Sequence, residues 1–185
     1  MKKLFTILVL AMLFAPVVNS NAQDMRGGVQ VSLAMPMGTF GDVHATGFGA
    51  MGTFYYGLNP QIDLTGTIGF LTFGAASDIP EGFDYSLNFI PVVVGGRYNF
   101  VTSGEFKPYA GAELGLHFGS ASVTVDMGPF GKVDTDESTS DFSFAPLAGF
   151  YYNIGPKLQL DVNVKMNIIS DANYLGINAG VAFGL

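Results

Sequence analysis

The chain of 185 residues contains no cysteine and no tryptophan, and few of its residues are charged. The absence of cysteine excludes a disulfide framework, a thiolate metal site and a cysteine nucleophile. Charged residues make up 12% of the chain, which is about half the share found in ordinary soluble domains. After its first residues, the chain also lacks the ~18 uninterrupted apolar residues of a transmembrane helix. Since 49% of its residues are hydrophobic, some other structure must hide the apolar surface.

The beginning of the chain has the parts of a secretory signal peptide. Two lysines precede an apolar run at 4–14, and the small residues Ser20 and Ala22 mark a cleavage site. An uncleaved membrane anchor is the alternative, but the apolar run is too short to span a bilayer comfortably as a helix. We predict that residues 1–22 are a signal peptide and that residues 23–185 form one domain.

The clearest structural signal in the chain lies at 158–168, which reads Leu-Gln-Leu-Asp-Val-Asn-Val-Lys-Met-Asn-Ile. Every second residue is aliphatic and the residues between are polar, which is the period of a β-strand with one apolar face. About eleven residues is also the length of a tilted strand that crosses a bilayer. The pattern alone leaves open whether the apolar face packs inside a soluble barrel or faces lipid.

Turn residues divide the rest of the chain into eight candidate strands, with no amphipathic helix of useful length. The strands are predicted at Gly28–Met35, Gly47–Tyr56, Gln61–Phe73, Ser86–Phe100, Pro108–Val125, Asp141–Asn153, Leu158–Ile169 and Tyr174–Leu185. Short turns alternate with mostly longer loops, an asymmetry typical of outer-membrane barrels. We therefore predict an all-β fold, an eight-stranded antiparallel up-and-down transmembrane β-barrel.

One turn occurs twice. The pattern F-Y-Y-x-[LI]-x-P-x-[IL]-x-L runs from Phe54 to Leu64 and again from Phe150 to Leu160. Each copy contains the end of a strand, a turn with proline and the start of the next strand. The repetition predicts the same hairpin solution at two places on one end of the barrel.

Aromatic residues cluster toward both ends of the predicted strands. One group lies beside the short turns: Tyr55, Tyr56, Tyr98, Phe100, Phe106, Tyr109, Tyr151 and Tyr152. The second group lies toward the long loops: Phe70, Phe73, Tyr85, Phe89, Phe118, Phe142, Phe144 and Tyr174. Two bands one strand length apart predict the aromatic girdles of a membrane barrel.

Three stretches, Val29–Asp42, Gly47–Ala50 and Lys107–Ala112, carry a resemblance to a known family. They resemble small outer-membrane β-barrel proteins, the OmpA/OmpX-like eight-stranded group of porin-family barrels, and the resemblance covers the whole mature chain. It implies a bacterial outer-membrane location with both termini in the periplasm. It also implies contact with outer-membrane lipid and lipopolysaccharide, and assembly by the outer-membrane insertion machinery. Such loose patterns follow the fold and are poor evidence of activity.

Strand parity places five charged residues inside the predicted barrel, two cations and three anions. They are Arg97, Lys165, Asp63, Glu113 and Asp161. Side chains just fill a barrel of eight strands, and charges buried there must pair. We interpret the five as a structural ion network in the lumen. The alternative is a narrow ion pathway, for which inward glycines would leave room.

The only two histidines are His44, in the first long loop, and His117, near the outer end of the fifth predicted strand. Ser120 and Ser122 follow His117 closely, and a paired histidine and serine would begin a hydrolytic site. No nucleophile motif surrounds either serine, so we predict no catalytic residue. Two histidines without other ligands also predict no metal site, and nothing in the chain predicts a cofactor.

The formal net charge is −7, and removal of Lys2 and Lys3 with the signal peptide leaves about −9. This excludes nucleic acid as a partner, because phosphate binding needs a basic face. The third long loop, 126–140, is the most acidic, and its candidate binding residues are Asp126, Asp134, Asp136, Glu137 and Asp141. They predict either a surface that attracts cations or basic partners, including divalent ions that bridge to lipopolysaccharide, or a passive acidic loop.

The sequence thus predicts a monomeric, non-enzymatic outer-membrane barrel with a structural or loop-mediated binding role in the cell envelope. Its extracellular ligand is not indicated by any motif. Two alternatives stay open: a narrow porin-like channel for small solutes or ions, and a lipid-modifying barrel enzyme that would depend on His117 and a neighbouring serine.

Overall fold

Eight antiparallel strands follow one another around a closed ring. The computed structural model describes residues 25–74, 83–126 and 132–185, with the backbone alone at 83–85, 122–126 and 132–136, so the predicted signal peptide lies outside the described residues. The strands are β1 Met25–Pro36, β2 Gly47–Asn59, β3 Ile62–Gly74, β4 Phe83–Asn99, β5 Phe106–Asp126, β6 Lys132–Gly155, β7 Leu158–Ile169 and β8 Tyr174–Gly184, with a short helix, α1 Thr39–Val43, after β1. β8 pairs with β1 and closes the barrel. The predicted eight-stranded up-and-down topology is confirmed.

The two faces of the strands are the reverse of those in a soluble barrel. In β1, Val29 and Val31 are 58% and 68% exposed, whereas the intervening Gln30 and Ser32 are buried. The same alternation of apolar outside and polar inside continues in β7, where Val164 is exposed and Lys165 is buried. An apolar outer surface suits contact with lipid. The closed ring meets the second requirement of a membrane, because it pairs the backbone N–H and C=O groups of every strand. Among the described residues, no helix has the length and apolarity needed to cross a membrane.

Alternate connections between strands lie at opposite ends of the barrel. We call the end with the connections β2–β3, β4–β5 and β6–β7 the turn end, and the opposite end the loop end. Residues 37–46 join β1 to β2 at the loop end and include α1. Both ends of the described chain lie at the turn end, where the Leu185 N–H donates to the Met25 carbonyl over 2.9 Å.

The third predicted loop differs from the structure. Most of 126–140 is strand: β5 continues to Asp126 and β6 begins at Lys132, nine residues before the predicted start. The two strands pair along their whole length, down to Asp126↔Lys132. The prediction failed because serine, threonine and acidic residues are typical of loops, yet an extended hairpin in water needs no apolar face. The loop end therefore carries a long β5–β6 hairpin.

The repeated turn has the same backbone irregularity in both copies. Pairing of β2 with β3 shifts register between Gly57 and Asn59, and pairing of β6 with β7 shifts between Asn153 and Gly155. In the first copy, the Asn59 side-chain oxygen accepts the backbone N–H groups of Gln61 and Ile62, both over 2.9 Å. The prediction of one hairpin solution used twice agrees with this geometry.

Only some of the aromatic residues predicted for the two girdles lie on the outer surface. Eight of the sixteen residues are exposed on the outer surface: Phe70, Tyr98, Phe100, Phe106, Phe118, Phe142, Phe144 and Tyr152. Six others point into the barrel and are buried, and for these the prediction was wrong: Tyr55, Phe73, Phe89, Tyr109, Tyr151 and Tyr174. Position near a strand end was used to assign them, whereas strand parity decides the face. Tyr56 is half-buried, and the side chain of Tyr85 lies outside the described residues.

Candidate functional site

The five charged residues predicted for the lumen are brought together there, and all are buried. At the centre of the group Asp161 accepts three hydrogen bonds. Arg97 Nη1 donates to it over 2.8 Å, and the hydroxyls of Tyr55 and Tyr109 donate over 2.7 and 2.5 Å. A carboxylate this deeply buried requires such a set of donors, because the cost of removing it from water is several kcal/mol.

A second carboxylate lies between two cations. Glu113 accepts a hydrogen bond from Lys165 Nζ over 3.0 Å and lies 3.9 Å from an Arg97 nitrogen. Arg97 therefore connects Glu113 with Asp161, and the four residues form one continuous network near the middle of the barrel. Because each charge depends on the others for compensation, removing one residue affects the whole group.

The third carboxylate, Asp63, has a partner that the sequence analysis missed. Arg26 Nη2 donates to Asp63 Oδ1 over 2.8 Å, and Arg26 Nη1 donates to Gln159 Oε1 over 2.5 Å. With Arg26, the buried side chains that the structure describes in the lumen include three cations and three anions, and their charges balance. Arg26 was missed because β1 begins three residues before its predicted start. With the correct start, strand parity would have placed Arg26 inside the barrel, on the same face as Gln30 and Ser32.

Three inward tyrosines surround the two arginines. The Arg97 guanidinium carbon lies 4.7 Å from the ring centre of Tyr109 and 5.1 Å from that of Tyr55. The Arg26 guanidinium carbon lies 4.9 Å from the ring centre of Tyr151. At these distances a cation is attracted to the ring face, so the tyrosines stabilise the arginines by both ring and hydroxyl.

Glycines beside the network provide space for its side chains. A methyl group added at Gly95 would lie 2.7 Å from Glu113 Cγ, and one added at Gly149 would lie 2.7 Å from the Tyr109 hydroxyl. Both distances are shorter than carbon and oxygen atoms can approach without rearrangement. The space beside these two glycines is therefore taken by their neighbours.

Polar groups continue beyond the charges. Asn178 Nδ2 donates to Asn163 Oδ1 over 2.8 Å, and His117 Nε2 is 2.8 Å from the Tyr174 hydroxyl. Several buried polar atoms of the lumen have no hydrogen-bond partner within the protein: Gln30 Nε2, Ser32 Oγ, Thr65 Oγ1, Asn99 Oδ1, His117 Nδ1, Asn163 Nδ2, Asn167 Nδ2 and Asn178 Oδ1. Buried polar groups of this kind bind ordered water in folded proteins.

Toward the loop end the lumen changes character. Aromatic rings there pack edge to face, with centroids 5.6 Å apart for Phe73 and Phe89 and 5.4 Å apart for Phe40 and Phe73. Phe40 comes from α1, so this short helix places a ring in the loop end of the lumen. The buried members of this apolar cluster are Ala34, Phe40, Met51, Leu71, Phe73, Leu87, Phe89, Ile169 and Tyr174. The cluster closes the loop end of the lumen.

Two cavities open at the turn end. One of about 250 Å³ is lined by Asp63, Asn99 and Tyr151 among others, and one of about 510 Å³ is lined by Lys107, Lys157 and neighbouring residues. Arg26 and Gln159 border both. Among the described residues, the lumen thus meets solvent through these cavities on the turn side, whereas the apolar cluster fills it toward the loop side.

The histidines have surroundings different from those expected. His117 lies in the middle of β5, because that strand continues to Asp126, and its side chain is buried in the lumen beside Tyr174 and Phe89. Ser120 is three residues further on and therefore faces the other side of the strand. The Ser122 side chain lies outside the described part of the chain. His44 follows α1, and its Nδ1 is 3.1 Å from the Phe40 carbonyl.

Only part of the predicted acidic site can be placed. The Glu137 side chain is exposed and Asp141 is half-buried, with the Thr139 hydroxyl donating to Asp141 Oδ2 over 3.0 Å. Asp126, Asp134 and Asp136 lie on β5 and β6, and their side chains are outside the described residues. In the described parts of the chain, no three His, Asp or Glu residues come together as a metal site would require.

Comparison with solved structures finds the same architecture. Neisserial surface protein A, from Neisseria, superposes with a TM-score of 0.62 at 21% identity, over 87% of this chain and 97% of that one. The attachment invasion locus protein Ail of Yersinia pestis gives 0.57 at 17%, over 88% and 97%. The outer membrane protease OmpT of Escherichia coli gives 0.51 at 10%, over 90% and 99%. At these identities the likeness shows the fold alone.

The sequence itself also matches a family. No curated protein matches the chain, but residues 5–184 match the family described as outer membrane protein beta-barrel domain. The matched residues include all eight strands, which form the closed ring with its apolar outer face and polar lumen. The chain therefore belongs to the outer membrane protein β-barrel domain family and is a bacterial outer-membrane barrel.

Proposed function

We propose that this protein is a non-enzymatic barrel whose lumen anchors a binding surface at the loop end, and that this surface takes up cationic partners. The observation that carries the proposal is the separation of charge. Three cations offset three anions in the lumen, whereas nearly all acidic residues outside it belong to segments at the loop end, where Lys132 is the one basic residue. The acidic residues are Asp42, Asp78, Glu81, Asp84, Asp126, Asp134, Asp136, Glu137, Asp141 and Asp171.

This distribution places the charge of the mature chain, about −9, on one end of the molecule. A field of that sign attracts cations and basic proteins and repels polyanions. Ail, by contrast, has been crystallised with the heparin analogue sucrose octasulfate, which is a polyanion. The two barrels share a fold, but the negative charge of the loop end supports cationic ligands for this chain.

The orientation belongs to the same proposal. With an even number of strands both termini lie at one end, and a signal peptide that leads into the periplasm favours placing the turn end there. The loop end then faces the cell exterior, beside lipopolysaccharide. Divalent cations bridging its carboxylates to lipopolysaccharide phosphates are one class of cationic partner, and the outward aromatic residues contact the surrounding lipid. Since the ring leaves no strand edge within the membrane, a monomer is expected.

The catalytic alternative has less support. The pair of His117 and Ser120 would have to act across two faces of one strand. OmpT shows that a barrel of similar fold can carry protease activity, so the fold itself does not decide. The support for a non-enzymatic role is therefore the position of the two side chains.

A narrow channel is the second candidate, favoured by the turn-end cavities and by the polar atoms without protein partners. The apolar cluster at the loop end argues against conduction. Single-channel recording in planar bilayers distinguishes the two: the anchor proposal expects no conductance above the empty bilayer, and steps of defined size would favour the channel.

The binding proposal is tested with the protein in phosphatidylcholine nanodiscs and fluorescent polylysine as the probe. One variant replaces 122–136 by a short turn, closing the hairpin on the pair Ala121↔Glu137. A second keeps the length and changes the acids of the hairpin to amides: Asp126→Asn, Asp134→Asn, Asp136→Asn and Glu137→Gln. We expect both to bind polylysine at least about 10-fold more weakly, in proportion to lost charge. Parent-like binding by both variants, with heat-modifiable migration intact, would contradict the proposal.

A further inference from the structure

The β6 strand has a free edge at the loop end. Its pairing with β7 ends at Ser143↔Ile169, while its pairing with β5 continues for eleven residues more. Among the described residues, the segment Glu137–Phe142 thus has β5 as its only neighbouring strand. In such a segment alternate N–H and C=O groups point away from the sheet and are ready to pair with another strand. We call Glu137–Phe142 the open edge.

A cleft lies directly beside the open edge, where β6 separates from β7. It has a volume of about 350 Å³, with an apolar floor from Phe40, Leu87 and Phe89. Its walls come from three further places: Thr139 and Asp141 on the open edge, His44 after α1, and Ser170, Asp171 and Ala172 in the turn before β8. The cleft therefore has the size of one apolar side chain or two, at the position where the side chains of an added strand would point.

The rim of the cleft is acidic. Asp141 and Asp171 border it, and no lysine or arginine does. Burial lowers the pKa of the His44 imidazole below its usual value, which disfavours its charged form. The rim carries a charge of about −2, in the field of a loop end that is acidic throughout.

The charges also select between possible occupants. A second copy of this chain that paired edge to edge would bring Glu137 and Asp141 of both copies close together, and like charges across a strand pair are destabilising. Natural proteins use charged edge residues in this way to prevent self-association. The carboxylates of the open edge therefore repel a second copy of this chain and attract a strand that carries basic side chains.

We propose that the open edge and its cleft together bind an extended peptide segment of a partner protein, which adds as a strand to β6. It places an apolar side chain into the cleft, and basic side chains two positions before and after it lie on the same face, toward the acidic rim. Main-chain hydrogen bonds supply affinity in such recognition, and the pocket with its charged rim supplies sequence preference. This inference rests on the proposed function and specifies the site and the chemical class of its partner.

The probe is the peptide acetyl-Thr-Lys-Thr-Leu-Thr-Lys-Thr-amide, in which both lysines share the face of the leucine, titrated by calorimetry against the protein in phosphatidylcholine nanodiscs, with empty nanodiscs as the blank. Two further peptides carry N-methyl groups on alternate backbone amides, one on the even positions and one on the odd. Only one set of amides faces β6 in an added strand. We therefore expect one methylated peptide to bind at least about 10-fold more weakly, which is the loss of more than one hydrogen bond, while the other stays within about 3-fold of the parent.

Variants of the protein locate the site. Asp141→Asn should weaken the peptide about 5-fold, as expected for one partly exposed ion pair. Asp42→Asn is the matched control: it removes the same charge from the same end, but Asp42 is exposed on α1 and does not line the cleft. A peptide in which alanine replaces leucine should bind the parent protein more weakly than the leucine peptide does. In a Leu87→Phe variant the larger side chain fills the floor of the cleft, so the two peptides should bind that variant with equal affinity.

The outcomes separate the two proposals. If polylysine binds but both methylated peptides bind as the unmodified peptide does, or Asp42→Asn weakens the peptide as much as Asp141→Asn, the attraction is diffuse and the strand-addition site is wrong. Equal loss with both methylated peptides would also overturn it, since an added strand uses one set of amides. If neither polylysine nor the peptide binds, the proposed function itself fails.

Discussion

From the turn end to the middle, the lumen holds six charged side chains among three tyrosines, whereas toward the loop end it holds phenylalanines, leucines and a methionine. Arg97 touches Asp161, Tyr109 and Tyr151 by hydrogen bonds of 2.8 to 3.0 Å. Phe73, at the other end, packs edge to face against Phe40, Phe89 and Tyr174.

One narrow barrel thus combines two kinds of packing. In the charged half, each group is satisfied only if its partners are present, so stability depends on the complete set. In the apolar half, stability depends on volume, and a residue of similar size can substitute. The charged half stays open to solvent, and the apolar half closes the barrel beneath the surface that we propose binds a partner.

The largest effect is expected from Arg97→Met, which removes the cation shared by Asp161 and Glu113. The free energy of unfolding should fall by about 3–5 kcal/mol, since two buried carboxylates lose compensation. A urea titration in detergent, followed by heat-modifiable migration, measures it. Arg26→Met is the control: Arg26 borders the turn-end cavities, where water can replace it, so its loss should be smaller. Equal losses would show that the network is not centred on Arg97.

The apolar half is tested with Phe73→Ala, which empties part of the cluster. We expect a loss of about 3 kcal/mol in the free energy of unfolding, from lost transfer energy and the cavity left behind. Phe73→Leu, which keeps most of the volume, should cost about 1 kcal/mol. If the leucine variant were as unstable as the alanine variant, packing by volume would be the wrong description of this half.

Both halves rest on the assignment of inside and outside, which neighbouring residues of β7 test. Val164→Lys places a charge on the lipid face, at a cost of about 2 kcal/mol or somewhat more. Lys165→Met should destabilise for the opposite reason, because Glu113 loses its closest cation. Refolding titrations of both variants, with Val164→Leu as the neutral control, measure the costs. Tolerance of both changes would contradict the assignment.

The smallest effect concerns one hydroxyl. Tyr109→Phe removes one of the three donors to Asp161 and should cost about 1–2 kcal/mol, the contribution of a hydrogen bond to a charged group. Tyr98→Phe makes the same chemical change on the exposed outer surface, and we expect no measurable loss there. A loss at Tyr98 equal to that at Tyr109 would mean that the assay reports something other than the lumen network.

Sequence reasoning reached the barrel because its signals are local. The period of two in β7, the repeated turn and the alternation of connection lengths each depend on neighbouring residues. Parity also identified Arg97, Lys165, Asp63, Glu113 and Asp161 as inward, since a strand fixes the face of each residue once one is known. Arg26 was missed only because the start of β1 was placed too late, and Tyr55, Tyr109 and Tyr151 because parity was not applied to the aromatic groups.

Local patterns in the sequence therefore predict the number of strands, most of their faces, the family and the acidic character of one end. The charges that meet are known only from the folded barrel: Asp161 contacts Arg97, which is 64 positions away, and Lys165 contacts Glu113, which is 52 away. The same contacts between distant residues extend β5 and β6 into the predicted loop, give β6 its open edge and pack Phe40 into the lumen. These features depend on the stagger of strands around the closed ring, which brings together residues that no local pattern connects.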